Sequence, residues 1–433
     1  MLTSMSTLVK SGDPTFAPVR KLVPELLAEI FILCISEPVK RPGHEPPEFE
    51  YGMDLQAARG QLARVCRWWN AVLNDDPRVW ATVTLNACWP ITPEIVTLWI
   101  KRSKSHPLDV YIKVSDRSYM DPMVAVLHAQ LWRIRSLVWK DYCYPRHLPM
   151  LFPPSVSTYA PMMQNLCLQS YMSEWTASLG DIHCPDLRTL IIEFCDEAVK
   201  SLISKPMPSV RHLQLISGGP ARLCIELLDG LPNLVSMKWM QKYDRDLGAP
   251  NSRVVLQSLK SLTLVDIIPQ SLEYFCAPSL ESLNLDGNAT EAMQVLEIIR
   301  QDWNVTLRHL TITGKVPGKT AIHAMLPHLT HLETLIVHSY REHNSADELL
   351  MALSPHNHDF TLACPQLTTM EINRGRVSTS ALVDFVWRRV KPDLDDPGPG
   401  LMTSLKLSSI PVDQDVCEQL VKTHGSSVHI RVN

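Results

Sequence analysis

The 433-residue sequence predicts an α/β solenoid, with parallel strands on its concave face and helices on its convex face, preceded by a small all-α domain. Two observations lead to this fold class. From residue 130 onward, one apolar phrase recurs eleven times at intervals of 21 to 35 residues. Before residue 85, apolar residues recur instead at helical spacing. The composition allows a large core, because 45% of the residues are hydrophobic and 20% are charged.

The first predicted helix lies in VPELLAEIFILC, residues 23–34. Its apolar positions recur one, three and four residues apart and include Leu26, Leu27, Ile30 and Phe31. Pro24 suits the first helical position, where a missing N–H costs little. The stretch contains two glutamates and is shorter than the ~20 apolar residues that a membrane span needs. It therefore predicts an amphipathic helix and neither a signal sequence nor an anchor.

A second, longer helix is predicted in LQAARGQLARVCRWWNAVLNDD, with Asp54 as its N-cap. Its apolar face comprises Leu62, Val65, Cys66, Trp69, Val72 and Leu73. Asp76-Pro77 ends the pattern, and Trp80 follows as a candidate buried anchor. Between the helices, residues 36–54 carry four prolines and five acidic residues and predict a flexible insert. Residues 1–19 are predicted to be disordered. On periodicity alone, residues 20–85 could equally be the first layer of the larger core.

The order LVPELLAEIF, LARVCRWWNAV and DPRVWATV resembles the F-box, a three-helix motif. The chain departs from the family pattern because Val23 separates Leu22 from Pro24 and because the insert lengthens the first interhelical loop. The resemblance implies that residues 20–85 dock the Skp adaptor of a cullin–RING ubiquitin ligase. The adaptor-binding residues that it implies are Leu22, Pro24, Leu26, Leu27, Ile30, Phe31, Leu62, Val65, Cys66, Trp69 and Trp80.

The recurring phrase reads apolar, two variable, apolar, one variable, apolar, as in LRTLII at 187–192 and LESLNL at 280–285. This phrase at a period of 20–30 residues is the leucine-rich-repeat signature. Each copy predicts a short strand, and stacked copies predict a parallel sheet with one continuous core over residues 131–433. Linking segments such as 221–233 and 380–390 have helical spacing, whereas HNHDFTLACP and KPDLDDPGPG predict loops. Residues 86–130 predict a cap or an irregular first repeat. The alternative is a general α/β domain in which the phrase is only common apolar chemistry.

The whole chain resembles the leucine-rich-repeat class of F-box proteins, in which the repeats capture the protein to be ubiquitylated. The third, fifth and seventh places of each phrase would line the concave face. That lining is small, polar and nearly uncharged, and it identifies no client. The candidate client-binding residues are Glu193, His212, Gln214, Lys238, Asn284, Asp286, His309, Thr311, His338, Glu371 and Asn373. Alternatively, the concave face is merely solvated and clients bind the loops.

The sequence favours a binding protein over an enzyme. It contains no phosphate-binding glycine loop, GxSxG or HExxH motif, so no catalytic residue, cofactor or metal is predicted. A net charge of −4 argues against nucleic acid, and membrane binding is not expected. Eleven scattered cysteines without a CxxC pair favour the cytoplasm or nucleus. The predicted function is the substrate-recognition subunit of a Skp–cullin–F-box ligase, with an unknown client. The alternative is a leucine-rich-repeat scaffold that works outside a ligase.

Overall fold

The structure is a computed structural model that divides into two compact units, Met1–Cys143 and Tyr144–Asn433. The residues that it describes are 22–36, 51–86, 91–114, 120–141, 148–153, 156–170, 182–193, 199–200, 202, 206–217, 221–241, 253–266, 269–287, 289–302, 307–314, 326–339, 346–354, 364–374, 376–389, 402, 404–408 and 414–424. Four predictions lie wholly or mostly outside these residues: the N-terminus 1–19, the insert at 36–54, and the loops HNHDFTLACP at 356–365 and KPDLDDPGPG at 391–400. Ser36 and residues 51–54 of the predicted insert are described and are helical, so the insert was predicted too long.

The helices of the first unit follow the predicted order but not the predicted lengths. They are α1 Pro24–Ser36, α2 Tyr51–Val65, α3 Arg67–Asp75, α4 Pro93–Arg102 and α5 Met120–His128. The prediction of one long second helix was wrong, because Cys66 is extended (φ −163°, ψ 168°) and separates α2 from α3. The prediction of Asp54 as an N-cap was also wrong, because Asp54 lies inside α2.

The first unit also contains three parallel strands. They are β1 Thr82–Asn86, β2 Leu108–Val114 and β3 Ile134–Asp141, and they pair in the order β1-β2-β3. Residues of β2 alternate between buried and half-buried, the period-two pattern of a strand with one face in the core. Residues 86–130, predicted as a cap or an irregular first repeat, contain β2, α4 and α5. Helices α1–α3 therefore share one compact unit with a small sheet.

Every copy of the apolar phrase supplies a strand: the first supplies β3, and the other ten supply the main sheet of the second unit. In sheet order these are β5 Asn165–Ser170, β7 Thr189–Glu193, β8 His212–Ser217, β9 Ser236–Gln241, β11 Ser261–Val265, β13 Ser282–Gly287, β14 His309–Gly314, β15 Thr334–Ser339, β16 Thr369–Asn373 and β17 Ser404–Ser408. Two small pairs accompany them, β4 Thr158–Tyr159 with β6 Ile182–His183 and β10 Val254–Val255 with β12 Phe275–Cys276. The described residues thus form an α/β repeat-like architecture with thirteen parallel strands, three in the first unit and ten in the second.

The strand register explains why the phrase repeats. Leu190, Leu213 and Met237 are direct neighbours on β7, β8 and β9, and all three are buried. The last apolar place of the phrase forms a second buried row, which includes Trp239. Because side chains alternate between the faces of a strand, both rows lie on one face. The apolar places of the phrase therefore build a continuous core, and the variable places between them fall on the opposite face.

In the described part of the second unit, helices lie between several of these strands and after the last one. They are α6 Leu148–Leu151, α7 Ala221–Asp229, α8 Ala289–Asp302, α9 Asp347–Leu353, α10 Thr379–Arg389 and α11 Gln414–His424. The helical spacing predicted at 221–233 and 380–390 is confirmed by α7 and α10. In α10, Leu382, Phe385 and Val386 are fully buried, which places its apolar stripe against the core.

Candidate binding surfaces

Helix α1 has two apolar faces, and one of them is exposed. Leu26, Ile30 and Leu33 on α1 are 54%, 41% and 61% exposed, and Val23 just before the helix is 51% exposed. Their spacing of three, four and three residues places them along one side of the helix. We call these four residues the outer stripe. Large aliphatic side chains in such an arrangement gain stability when a partner removes them from water.

The opposite face of α1 belongs to the core of its own unit. Leu27 and Phe31 are 1% and 0% exposed, and the Phe31 ring lies 5.0 Å from the Trp69 ring, centroid to centroid. Trp80 is also buried, and its indole N–H donates to the carbonyl of Leu73 at 2.8 Å. Leu27, Phe31 and Trp80 were expected to contact an adaptor. That expectation was wrong for these three residues, because a buried side chain presents no surface to a partner.

The remaining adaptor-binding candidates keep part of their surface. Pro24 and Val65 are exposed, whereas the half-buried ones are Leu22, Leu62, Cys66 and Trp69. Sequence reasoning omitted Val23 and Leu33, which complete the outer stripe. Their helical spacing to Leu26 and Ile30 was the available signal, but the sequence does not tell which of two apolar stripes on one helix faces the core.

Two arginines hold Trp80 in the core of the first unit. The guanidinium carbons of Arg59 and Arg102 lie 5.2 and 4.5 Å from the Trp80 ring centroid. Arg59 is buried, and its Nη2 donates to the carbonyls of Val79 at 2.5 Å and Thr82 at 2.8 Å. Burial lowers the pKa of Arg59 to about 9, because a charged guanidinium is costly away from water. These contacts join α2 to β1 and give Trp80 a structural role.

The break at Cys66 leads to a testable prediction. Its Sγ accepts a hydrogen bond from the Trp69 N–H at 3.4 Å, which makes Cys66 the N-cap of α3. Serine is a better N-cap than alanine, so Cys66→Ser should have a free energy of unfolding about 1 kcal/mol higher than Cys66→Ala. Urea unfolding followed by circular dichroism measures this difference. If residue 66 lay inside a continuous helix, Cys66→Ala would instead have the higher free energy of unfolding, because alanine has a higher helix propensity than serine.

The second candidate surface is the sheet face opposite the buried rows, which we call the polar face. All eleven client-binding candidates lie on it, and none is fully buried. His212 and His309 belong to one row of register neighbours, which runs from Thr189 through His212, Ser236, Ser261 and Ser282 to His309. Gln214, Lys238, Asn284, Thr311 and Glu371 belong to the next row. The register therefore brings the variable places of successive phrases side by side, about 4.8 Å apart.

Hydrogen bonds connect several of these polar residues. The Asn373 side-chain NH₂ lies 2.8 Å from a Glu371 carboxylate oxygen, to which it donates, and 2.9 Å from His338 Nδ1. Lys406 Nζ lies 3.8 Å from the other Glu371 oxygen. Gln214 donates to Glu193 at 2.8 Å. These interactions orient the side chains on the polar face, and the sequence pattern did not reveal them.

Neither surface carries a recognisable reaction centre. In the part of the chain that the structure describes, no three His, Cys, Asp or Glu side chains group as metal ligands. Burial raises the pKa of the Cys184 and Cys364 thiols to about 12, so both stay protonated at neutral pH and are poor nucleophiles. Among the described helices, none is long and apolar enough to cross a membrane. The described residues therefore offer one apolar and one largely polar surface as candidates for binding.

No family model matches the sequence, and no curated protein matches it. Among solved structures, it is similar to the crystal structure of a protein from Bacteroides fragilis, a structural genomics target. The two chains are 12% identical, the match covers 77% of this chain and 76% of the other, and the TM-score is 0.32. A likeness at that score carries no argument about fold or function.

Proposed function

We propose that the protein is the substrate-recognition subunit of a Skp–cullin–F-box ubiquitin ligase. Residues 20–85 would act as an F-box that docks a Skp adaptor. The parallel strands would be the inner face of a leucine-rich-repeat solenoid that captures a client. The observation that carries the proposal is the outer stripe on α1, in the segment whose residues resemble the F-box.

The outer stripe supports docking because the described residues of its unit leave its side chains exposed to water. The core formed by those residues uses the inner face of α1, which Leu27 and Phe31 fill. An amphipathic helix that lays a second apolar face into a groove is a common mode of protein recognition. Burying one Leu or Ile side chain is worth about 1.5–3 kcal/mol. Four such side chains would make α1 a substantial docking element.

The proposed role requires no catalytic group on this chain. A substrate receptor holds its client near the charged conjugating enzyme, so its contribution is proximity. Two separate binding surfaces suffice for that role, the outer stripe for the adaptor and the polar face for the client.

Co-expression with a Skp adaptor followed by pull-down tests the proposal. We expect the wild-type chain to retain the adaptor and Leu26→Ala/Ile30→Ala to weaken binding about 100-fold, because two aliphatic contacts worth roughly 3 kcal/mol together are lost. Both side chains are exposed, so the double variant should fold normally.

The matched control is Ile95→Ala/Leu98→Ala on α4. These two residues are 39% and 43% exposed in the same unit, but they lie outside the segments that resemble the F-box. The control should bind the adaptor as the wild type does. A well-folded wild-type chain that retains no adaptor would contradict the ligase proposal and favour a repeat scaffold with another helix partner. Equal losses in both double variants would show that binding depends on general surface hydrophobicity.

A further inference from the structure

Three polar side chains lie close together on two neighbouring strands of the polar face. His338 on β15 and Asn373 on β16 are direct register neighbours. Glu371 precedes Asn373 by two residues on β16, so its side chain lies on the same face. All three residues are half-buried. We call this set the His338 cluster.

The hydrogen bonds of the His338 cluster determine which nitrogen of His338 carries the proton. The side-chain nitrogen of Asn373 lies 2.8 Å from Glu371 Oε1 and 2.9 Å from His338 Nδ1. An ionised carboxylate only accepts hydrogen bonds, so Asn373 turns its NH₂ group toward Glu371 and not its oxygen. Because an NH₂ group only donates, His338 Nδ1 accepts and carries no proton. The neutral His338 side chain is therefore the Nε2–H tautomer.

The His338 cluster leaves one donor and one acceptor for a ligand. His338 Nε2 and Asn373 Oδ1 form no hydrogen bond with any residue that the structure describes. Neither atom is among the buried side-chain atoms that lack a partner, so both are accessible to water. Lys406 Nζ lies 3.8 Å from the Glu371 carboxylate and offsets its charge. The cluster therefore presents an uncharged N–H donor and an uncharged carbonyl acceptor.

We propose that the His338 cluster binds the side-chain amide of an asparagine or glutamine in a client segment. The amide oxygen of the client accepts from His338 Nε2–H, and the client's NH₂ group donates to Asn373 Oδ1. A carboxylate cannot donate and would oppose Asn373 Oδ1 with a second acceptor, so Asp and Glu are disfavoured. Glu371 acts as a positioning residue, because it orients the Asn373 amide and thereby fixes the tautomer of His338. The inference rests on the proposed function, in which the sheet captures the client.

Nitrogen-15 NMR of the full chain with labelled histidine tests the positioning role of Glu371. At about pH 8.5, where a histidine side chain is ordinarily neutral, the wild type should show a protonated Nε2 and an unprotonated Nδ1 at His338. The signals of His338 are identified by their loss in His338→Phe. In Glu371→Met the Asn373 amide is free to turn, so a population of the Nδ1–H tautomer should appear. A His338 tautomer that Glu371→Met does not change would overturn the positioning role.

Peptide selection tests the ligand chemistry. Phage-displayed random peptides are first depleted on immobilised His338→Phe and then selected on the immobilised wild-type chain, so that peptides binding elsewhere are removed. The expected result is enrichment of sequences that share an Asn or Gln at one position. No enrichment, or enrichment of sequences without a shared Asn or Gln, would overturn the proposal. The selection does not use α1, so its failure and a failure of the adaptor pull-down are distinguishable.

Affinities of a selected peptide then locate the contact. Replacing its shared Asn or Gln by Asp or Glu should weaken binding about tenfold, because one hydrogen bond is lost and two acceptors are opposed. His338→Phe keeps a planar ring and should weaken binding by a similar factor. The matched control, Thr263→Val, lies on the polar face of β11, three strands from β15, and should leave affinity unchanged. Circular dichroism confirms that both variants fold. Equal affinity of the wild type and His338→Phe would refute the contact.

Discussion

Trp239→Ala is expected to lower the free energy of unfolding of the second unit by about 3–5 kcal/mol. Trp239 lies on β9 with its side chain fully buried, and its ring centroid is 6.0 Å from that of Phe275. Removing the indole leaves a large cavity that neighbouring strands fill only in part, because they are fixed on both sides by ladder hydrogen bonds. Urea unfolding followed by circular dichroism measures the loss.

Two further variants separate the cavity from other effects at this site. Trp239 Nε1 is buried and has no acceptor within hydrogen-bond distance among the described residues. Trp239→Phe should cost less than about 1.5 kcal/mol, because it keeps an aromatic ring in the core and leaves a smaller cavity than alanine does. Lys238→Ala changes the neighbouring residue on the opposite, exposed face and should cost less than about 0.5 kcal/mol. Equal losses for Lys238→Ala and Trp239→Ala would contradict the assigned faces.

The strands of the second unit were predictable, because one periodic pattern specifies both where each strand lies and which of its side chains point into the core. The phrase LESLNL, for example, places Leu283 and Leu285 on the buried face of β13. Strands β1 and β2 were not predicted in this way, because TVTLN and LDVYIKV do not repeat the phrase. Alternation alone would have identified β2, but a single alternating segment carries no information about its neighbours in a sheet.

The first unit shows where helical periodicity is ambiguous. The run from Leu62 to Leu73 fits one continuous helix, yet Cys66 is extended and begins a new one. A hydrogen bond from the backbone to a side-chain cap competes with the intrahelical backbone hydrogen bonds. The spacing of hydrophobic residues gives no information about which of the two forms. Similarly, Phe31 and Leu33 belong to the same apolar run, but one is buried and the other is exposed.

The candidate client surface was only partly visible in the sequence. Knowing the phrase is enough to place His338, Glu371 and Asn373 on the polar face. Their hydrogen bonds depend on the register of β15 and β16, which is a property of the assembled sheet. The sequence therefore predicted which side chains line this face, whereas the way they orient one another follows only from the structure.

Arg133→Met is expected to destabilise the first unit by about 4 kcal/mol, because it would leave several buried acceptors unsatisfied. Arg133 is 1% exposed. Its guanidinium donates to Gln130 Oε1 at 2.8 Å, Ser103 Oγ at 3.1 Å, Lys104 O at 2.6 Å, His106 O at 2.9 Å and Ile100 O at 3.0 Å. Three of these acceptors are carbonyls at and beyond the C-terminal end of α4, where helix carbonyls lack intrahelical partners and a cation is favoured.

Arg135→Met is the matched control, two residues away in the same strand region. Arg135 is exposed and forms an ion pair with Asp109 at 2.6 Å, so its loss should cost less than about 1 kcal/mol. Arg133→Lys should recover little of the loss, because an ammonium group cannot reproduce the planar fork that reaches five acceptors. Burial lowers the pKa of Arg133, because desolvation disfavours the charged guanidinium, and the hydrogen bonds of Arg133 offset that cost. Similar unfolding free energies for Arg133→Met and Arg135→Met would show that these bonds do not anchor the end of α4.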